Sequence, residues 1–102
     1  MGAIAFFTTA IGTDPMSAFN AARREASWEH GNGGNTGSIA EKDTFKLFDE
    51  STRGEEAALA RTEELFDRDD SPIADKWGPA GALPITVDSG GAGWLFFGFA
   101  PY

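Results

Sequence analysis

The chain has 102 residues, no cysteine, and a formal charge of −8 from sixteen acidic and eight basic side chains. Disulfides and cysteine-ligated zinc are therefore excluded, and the basic excess that gives most proteins their affinity for DNA or RNA is missing. No stretch approaches the ~20 apolar residues of a membrane span, and the apolar opening Met1 to Ile11 lacks the Lys or Arg with which a signal peptide starts, so a cytoplasmic protein with no membrane or direct nucleic-acid partner is expected.

The length favours a single domain over 1–102. Nine Phe, three Trp and one Tyr stand beside the aliphatic residues, and each can remove roughly 150–250 Å² from water, enough for one core without staples. Residues 3–11, Ala-Ile-Ala-Phe-Phe-Thr-Thr-Ala-Ile, are short, apolar and aromatic and stop at Gly12, which predicts a first strand. Asp14-Pro15 marks a helix start, because the carboxylate can accept from first-turn amides and Pro at the first helical position gives up no hydrogen bond. Met16, Phe19, Ala22 and Ala26 then recur at helical spacing, with Arg23, Arg24, Glu25 and Glu29 mainly opposite. Gly31 ends this helix, at about 15–30.

Residues 31–43 open with four Gly and two Asn in seven positions, a loop of unusual backbone angles. Thr44 to Phe48 reads as a second strand, followed by a turn at 51–54. Thr52 and Glu55 have capping-box spacing, and Ala58, Leu59, Thr62, Leu65 and Phe66 continue at helical spacing, which predicts a second helix over 53–68. After an irregular stretch at 69–81, residues 82–87 read as a third strand, in which Pro84 argues for an edge or a bulge. A Gly-rich turn at 88–93 leads to a fourth strand over 94–100, and the last two strands form a hairpin.

The order β-α-β-α-β-β predicts an α+β fold, a small four-stranded mixed or antiparallel sheet with two helices on one face. Two helices ~10 Å across match the ~20 Å width of four strands, which leaves the other face uncovered. Yet the first and last strands are apolar on both faces: Ile4 and Phe6 oppose Ala5 and Phe7, while Trp94 and Phe96 oppose Leu95, Phe97 and Phe99. An uncovered face of that kind would mediate homodimerisation or partner binding, unless the 31–43 and 69–81 loops fold over it.

The acidity has three readings: solubility, steering toward a basic protein, or imitation of the phosphate charge of DNA. The acidic residues form no long stripe in sequence, which disfavours the third. The Gly-rich loop is the first candidate site, since backbone amides in such loops can cradle phosphate. Gly33, Gly34 and Gly37 would supply close approach, Thr36 and Ser38 hydroxyls, and Lys42 a positive charge for a small phosphorylated ligand or nucleotide. The stretch matches neither a Walker loop nor a dinucleotide fingerprint: Ser38 follows the last glycine where Lys is required, and the loop follows a helix rather than a strand. A structural connection is the competing reading.

His30, the single histidine, suits the last turn of a helix, where a cation meets the negative end of the dipole. Asp67, Asp69, Asp70 and Asp75 could hold a divalent cation, but Ser71-Pro72 interrupts the ligand spacing of an EF-hand, and no metal is assigned. Glu25 and Glu29, one turn apart on a helix, are given no acid/base role. Trp77, within Lys-Trp-Gly-Pro-Ala-Gly at 76–81, is either a packed anchor or, if exposed, a binding anchor.

Gly-Asn-Gly-Gly-Asn-Thr-Gly-Ser-Ile-Ala-Glu-Lys-Asp at 31–43, Lys-Trp-Gly-Pro-Ala-Gly at 76–81 and Trp-Leu-Phe-Phe-Gly-Phe-Ala at 94–100 together resemble a group of small bacteriophage and bacterial proteins of unassigned activity. In that group the loop reads Gly-His-Gly-Gly-Tyr-Thr-Gly-Thr-Ile-Ala-Glu-Lys, so Asn32 and Asn35 stand here in place of His and Tyr. The resemblance implies a phage or prophage origin and carries over no catalytic residue. The expectation is a non-enzymatic, cofactor-free binding protein that modulates or inhibits a host protein through Trp77, Asn32 and Asn35, with the acidic surface setting the rate of approach. The alternative is a binder of a small phosphorylated ligand through the loop.

Overall fold

A computed structural model describes residues 2–30, 36–48, 50–67, 73 and 78–101, and His30 through its backbone alone. The first strand β1 (Ala3–Ile11) and first helix α1 (Pro15–His30) lie where the sequence places them. Asp14 Oδ2 accepts from the Ser17 hydroxyl at 2.7 Å and from the Ser17 amide at 3.0 Å, closing the first turn of α1. Those two bonds hold the Asp14 carboxyl below its ordinary pKa, the hydroxyl bond contributing most.

Beyond α1 come a short 3₁₀ turn (Ile39–Glu41), β2 (Phe45–Leu47), β3 (Arg53–Gly54), α2 (Glu55–Phe66), β4 (Ala80–Thr86) and β5 (Ala92–Pro101). The strands form one mixed sheet in the order β1-β5-β4-β2, with β3 also on β4, so among the described residues the α+β fold has five strands rather than four. β5 is antiparallel to both β1 and β4, and β2 and β3 run parallel to β4. α2 starts later than Thr52 predicts: Gly54 is its N-cap, without a side-chain bond, because Arg53 and Gly54 are held in the sheet beside Ile85 and Thr86.

β2 and β3 are two pieces of one sheet edge, and Pro84 accounts for the break. Ala80 donates to the Thr44 carbonyl and Phe48 to the Ala82 carbonyl, each at 3.0 Å, so the even-numbered residues of β4 face this edge. The next rung would take the N–H that Pro84 lacks. There the chain leaves the sheet, and it pairs again at Arg53 opposite Ile85. Pro84 thus sits in an interior strand in unbroken register with β5, at neither the edge nor the bulge expected from its chemistry, and the cost is passed to the neighbouring strand.

The helices lie on opposite faces, which corrects the expectation of two helices on one. Ala18, Phe19 and Ala22 of α1 pack with Phe6, Ala82, Phe96 and Ala100 on one face. Ala58 and Leu65 of α2 pack with Ile73, Leu83, Ile85, Leu95 and Phe97 on the other. The cause is topological. β1 is parallel to β2 and β3 to β4, so the chain makes two parallel crossovers, one across the sheet and one back. Crossovers of one hand that run in opposite directions must carry their helices on opposite faces, and about 98% of such crossovers share the right hand. The two-sided apolar character of β5 is met by a helix on each side, so neither face of the sheet is left as a bare aromatic surface. The buried stripe of α1 is also rotated from the expected one: Ala18 joins it, and Met16 is 55% exposed.

Candidate functional site

Trp28 follows Phe19 by nine residues, two and a half turns at 3.6 residues per turn, so the two side chains leave α1 in opposite directions. Phe19 is buried among Phe45 and Phe96, with ring centroids 5.0 and 5.4 Å away. Trp28 is 90% exposed, the most exposed of the large apolar side chains among the described residues. Ala21, Arg24 and Glu25 stand three to seven residues before it on the same side of the helix. With Ser27 they line an open depression of about 570 Å³ beside the indole. An indole flanked by one cation, one anion and a small residue offers apolar area with polar groups at its rim, the composition of an interface centre.

Trp28 is not among the site residues expected above, although the sequence carries its signal. A helix whose buried stripe contains Phe19 and Ala22 leaves position 28 on its far side, and the largest apolar side chain of the helix occupies it.

The described part of the Gly-rich loop is bonded inward. Thr36 donates to Glu41 Oε2 through its amide at 3.2 Å and its hydroxyl at 2.9 Å, and its Oγ1 lies 2.7 Å from the Ser38 hydroxyl. Ser38 caps the 3₁₀ turn by accepting from the Ala40 amide. Gly37 has a φ of 69°, a left-handed conformation, and its amide donates to the Pro101 carbonyl at 2.8 Å, which fastens the loop to the end of β5. Lys42, expected to offer its charge to a phosphate, is 1% exposed and donates through Nζ to the Gly78 carbonyl at 2.9 Å. The structure therefore brings Thr36, Gly37, Ser38 and Lys42 together as a clasp between loop and sheet, with the Glu41 carboxylate against the hydroxyls where an anion would have to sit. Gly33, Gly34, Asn32, Asn35 and Trp77 lie outside the described residues, as do Asp69, Asp70, Asp75 and the His30 side chain. Asp67 is the C-cap of α2.

One charged cluster stands apart from these groups. Glu50, in the excursion between β2 and β3, accepts from Arg61 Nε at 3.0 Å and Nη2 at 2.8 Å, and from Arg53 Nη1 at 2.8 Å. The Arg61 fork holds the Glu50 carboxyl down to a pKa of about 2, and Arg53 assists. The cluster ties the broken sheet edge to α2.

Among the described residues no group of three or more His, Cys, Asp or Glu side chains could hold a metal ion. Among them, too, no helix is long and apolar enough to cross a membrane. No family model matches the chain, and neither a curated protein nor a solved structure does.

Proposed function

We propose that this is a binding protein rather than an enzyme, and that it engages a protein partner through the outer face of α1 with Trp28 as anchor. The observation that carries the reading is the exposure of Trp28 at 90% on a helix whose opposite side is fully packed. Trp is enriched among interface residues that dominate binding energy. Covering an indole of roughly 200 Å² is worth about 5 kcal/mol of gross transfer free energy, a large contribution from one side chain, with further contacts needed to offset the roughly 4–15 kcal/mol that association costs. The charge of −8 suits a basic partner, whose association rate would fall as salt rises. The resemblance of the 31–43 loop and the 76–81 segment to phage proteins favours a phage origin and a host protein as that partner. A phosphorylated ligand in the loop is the weaker reading, because Thr36, Ser38 and Lys42 are engaged in internal bonds.

The test is a paired capture from host lysate with wild-type and Trp28→Ala baits of equal circular dichroism. A stoichiometric partner held by the wild type and lost by the variant supports the reading. Equal retention by both baits, or nothing on either, overturns it.

A further inference from the structure

We propose that β1 pairs antiparallel with the β1 of a second copy, joining two sheets into one across a two-fold axis at Phe7. The two sheet edges differ sharply in how they are defended. The β2/β3 edge is cut into pieces of three and two residues and carries Lys46 and Arg53, devices that discourage edge-to-edge pairing. β1 runs nine residues in unbroken register with β5, with neither a charged residue nor a proline. Ile4 is 49%, Phe7 47% and Ile11 76% exposed along it. A long, unbroken, apolar edge of that kind is a template for a further strand.

The backbone is ready for that pairing. Gly12 donates to the Ala92 carbonyl in the β1–β5 register, so antiparallel alternation turns the even-numbered residues of β1 toward β5. The odd-numbered residues then direct their N–H and C=O groups outward. Two copies centred on Phe7 use all nine residues and exchange on the order of ten hydrogen bonds.

The side chains identify the occupant as a second copy. In this register Ile11 of each chain faces Ala3 of the other, Ile4 faces Ala10, and Phe7 meets Phe7, so each large aliphatic residue meets an alanine. No charged side chain occurs before Asp14, so two molecules of charge −8 can meet along β1 without setting like charges against each other there. The pairing rests on a different surface from Trp28 and is independent of the proposed function. It moves the expected homodimer from a sheet face, now covered by a helix, to a sheet edge.

Sedimentation velocity on the full chain tests this. The mass should rise from 10.9 kDa to twice that value as concentration increases to hundreds of micromolar. Ala3→Glu and Ile11→Lys, both at exposed positions, should each weaken dimerisation by at least about tenfold. The double variant should regain it, since each Lys would then face a Glu on the other copy. Residues 3 and 11 of one strand are ~27 Å apart, too far for rescue within a chain. A chain that stays at 10.9 kDa, a dimer indifferent to both single variants, or a double variant that is not rescued overturns the proposal.

Discussion

The ring of Phe97 lies directly over the α-carbon of Gly81, its partner across the β4–β5 ladder: a Cβ at position 81 would come within 2.5 Å of Phe97 Cζ. Phe97 is fully buried, against Phe66 and Phe48 at centroid distances of 5.7 and 5.9 Å, so the ring has no room to withdraw. Gly81→Ala should therefore destabilise the fold by about 1–3 kcal/mol through overpacking, despite adding a single methyl group. Urea unfolding measures it. Phe97→Leu in the Gly81→Ala background should recover part of the loss, because the leucine side chain does not reach over position 81.

The Glu50 carboxyl titrates near 2 in the folded chain against an ordinary value of 4.5, the Arg61 bonds being the main cause. A carboxyl depressed by folding adds stability that is fully present above its unfolded pKa and is lost as pH falls through the folded one. Stability should thus decline between about pH 4.5 and pH 2, with Glu50 contributing about 1–2 kcal/mol after allowance for its partial contact with water. Glu50→Gln should lose that amount at pH 7 and converge on the wild type near pH 2. Parallel curves for the two proteins across the whole range would show that the Arg61–Glu50 fork carries no stability.

Trp28 and Phe96 make a matched pair of aromatic substitutions. Phe96 is fully buried under α1, and Phe96→Ala should cost about 3–5 kcal/mol in unfolding experiments. Trp28→Ala should leave stability within about 0.5 kcal/mol of wild type, since almost none of its surface is covered. If the α1 face is the binding surface, the same change should weaken partner binding by at least ~2 kcal/mol, roughly thirty-fold.

Local chemistry made β1 and α1 legible to their end residues: an apolar run closed by Gly12, then Asp14 capping Ser17. What could not be read depended on partners distant in sequence. β3 is two residues long and exists because Ile85 and Thr86 lie beside it. Thr52 has capping-box spacing to Glu55, yet that sheet pairing takes over the residues it would have capped. The opposite faces of the helices follow from strand order, which no local pattern encodes, although the two-sided apolar character of Leu95, Phe96 and Phe97 called for cover on both sides. Of the site, the loop clasp was visible as a cluster of residues but not as an inward-bonded one, and Trp28 was legible from the α1 wheel alone.

Lys42 separates the fold from the ligand reading of the loop. Its ammonium donates to the Gly78 carbonyl, just ahead of β4, while its backbone leads from the 3₁₀ turn toward β2, so one side chain joins the approaches to two neighbouring strands. Removing it leaves the Gly78 carbonyl without that donor and opens space around a stem that is 99% covered. Lys42→Ala should then cost about 2–4 kcal/mol. Lys42→Met, which keeps the stem and loses the bond, should fall between Ala and wild type. If Lys42 instead served a phosphate, both variants would keep the thermal midpoint of the unliganded protein and lose the shift caused by nucleotide. Thermal unfolding of wild type, Lys42→Ala and Lys42→Met with and without nucleotide distinguishes the two, and the inward bonds of Thr36 and Ser38 predict a lower midpoint for the variants with no nucleotide shift in any of the three proteins.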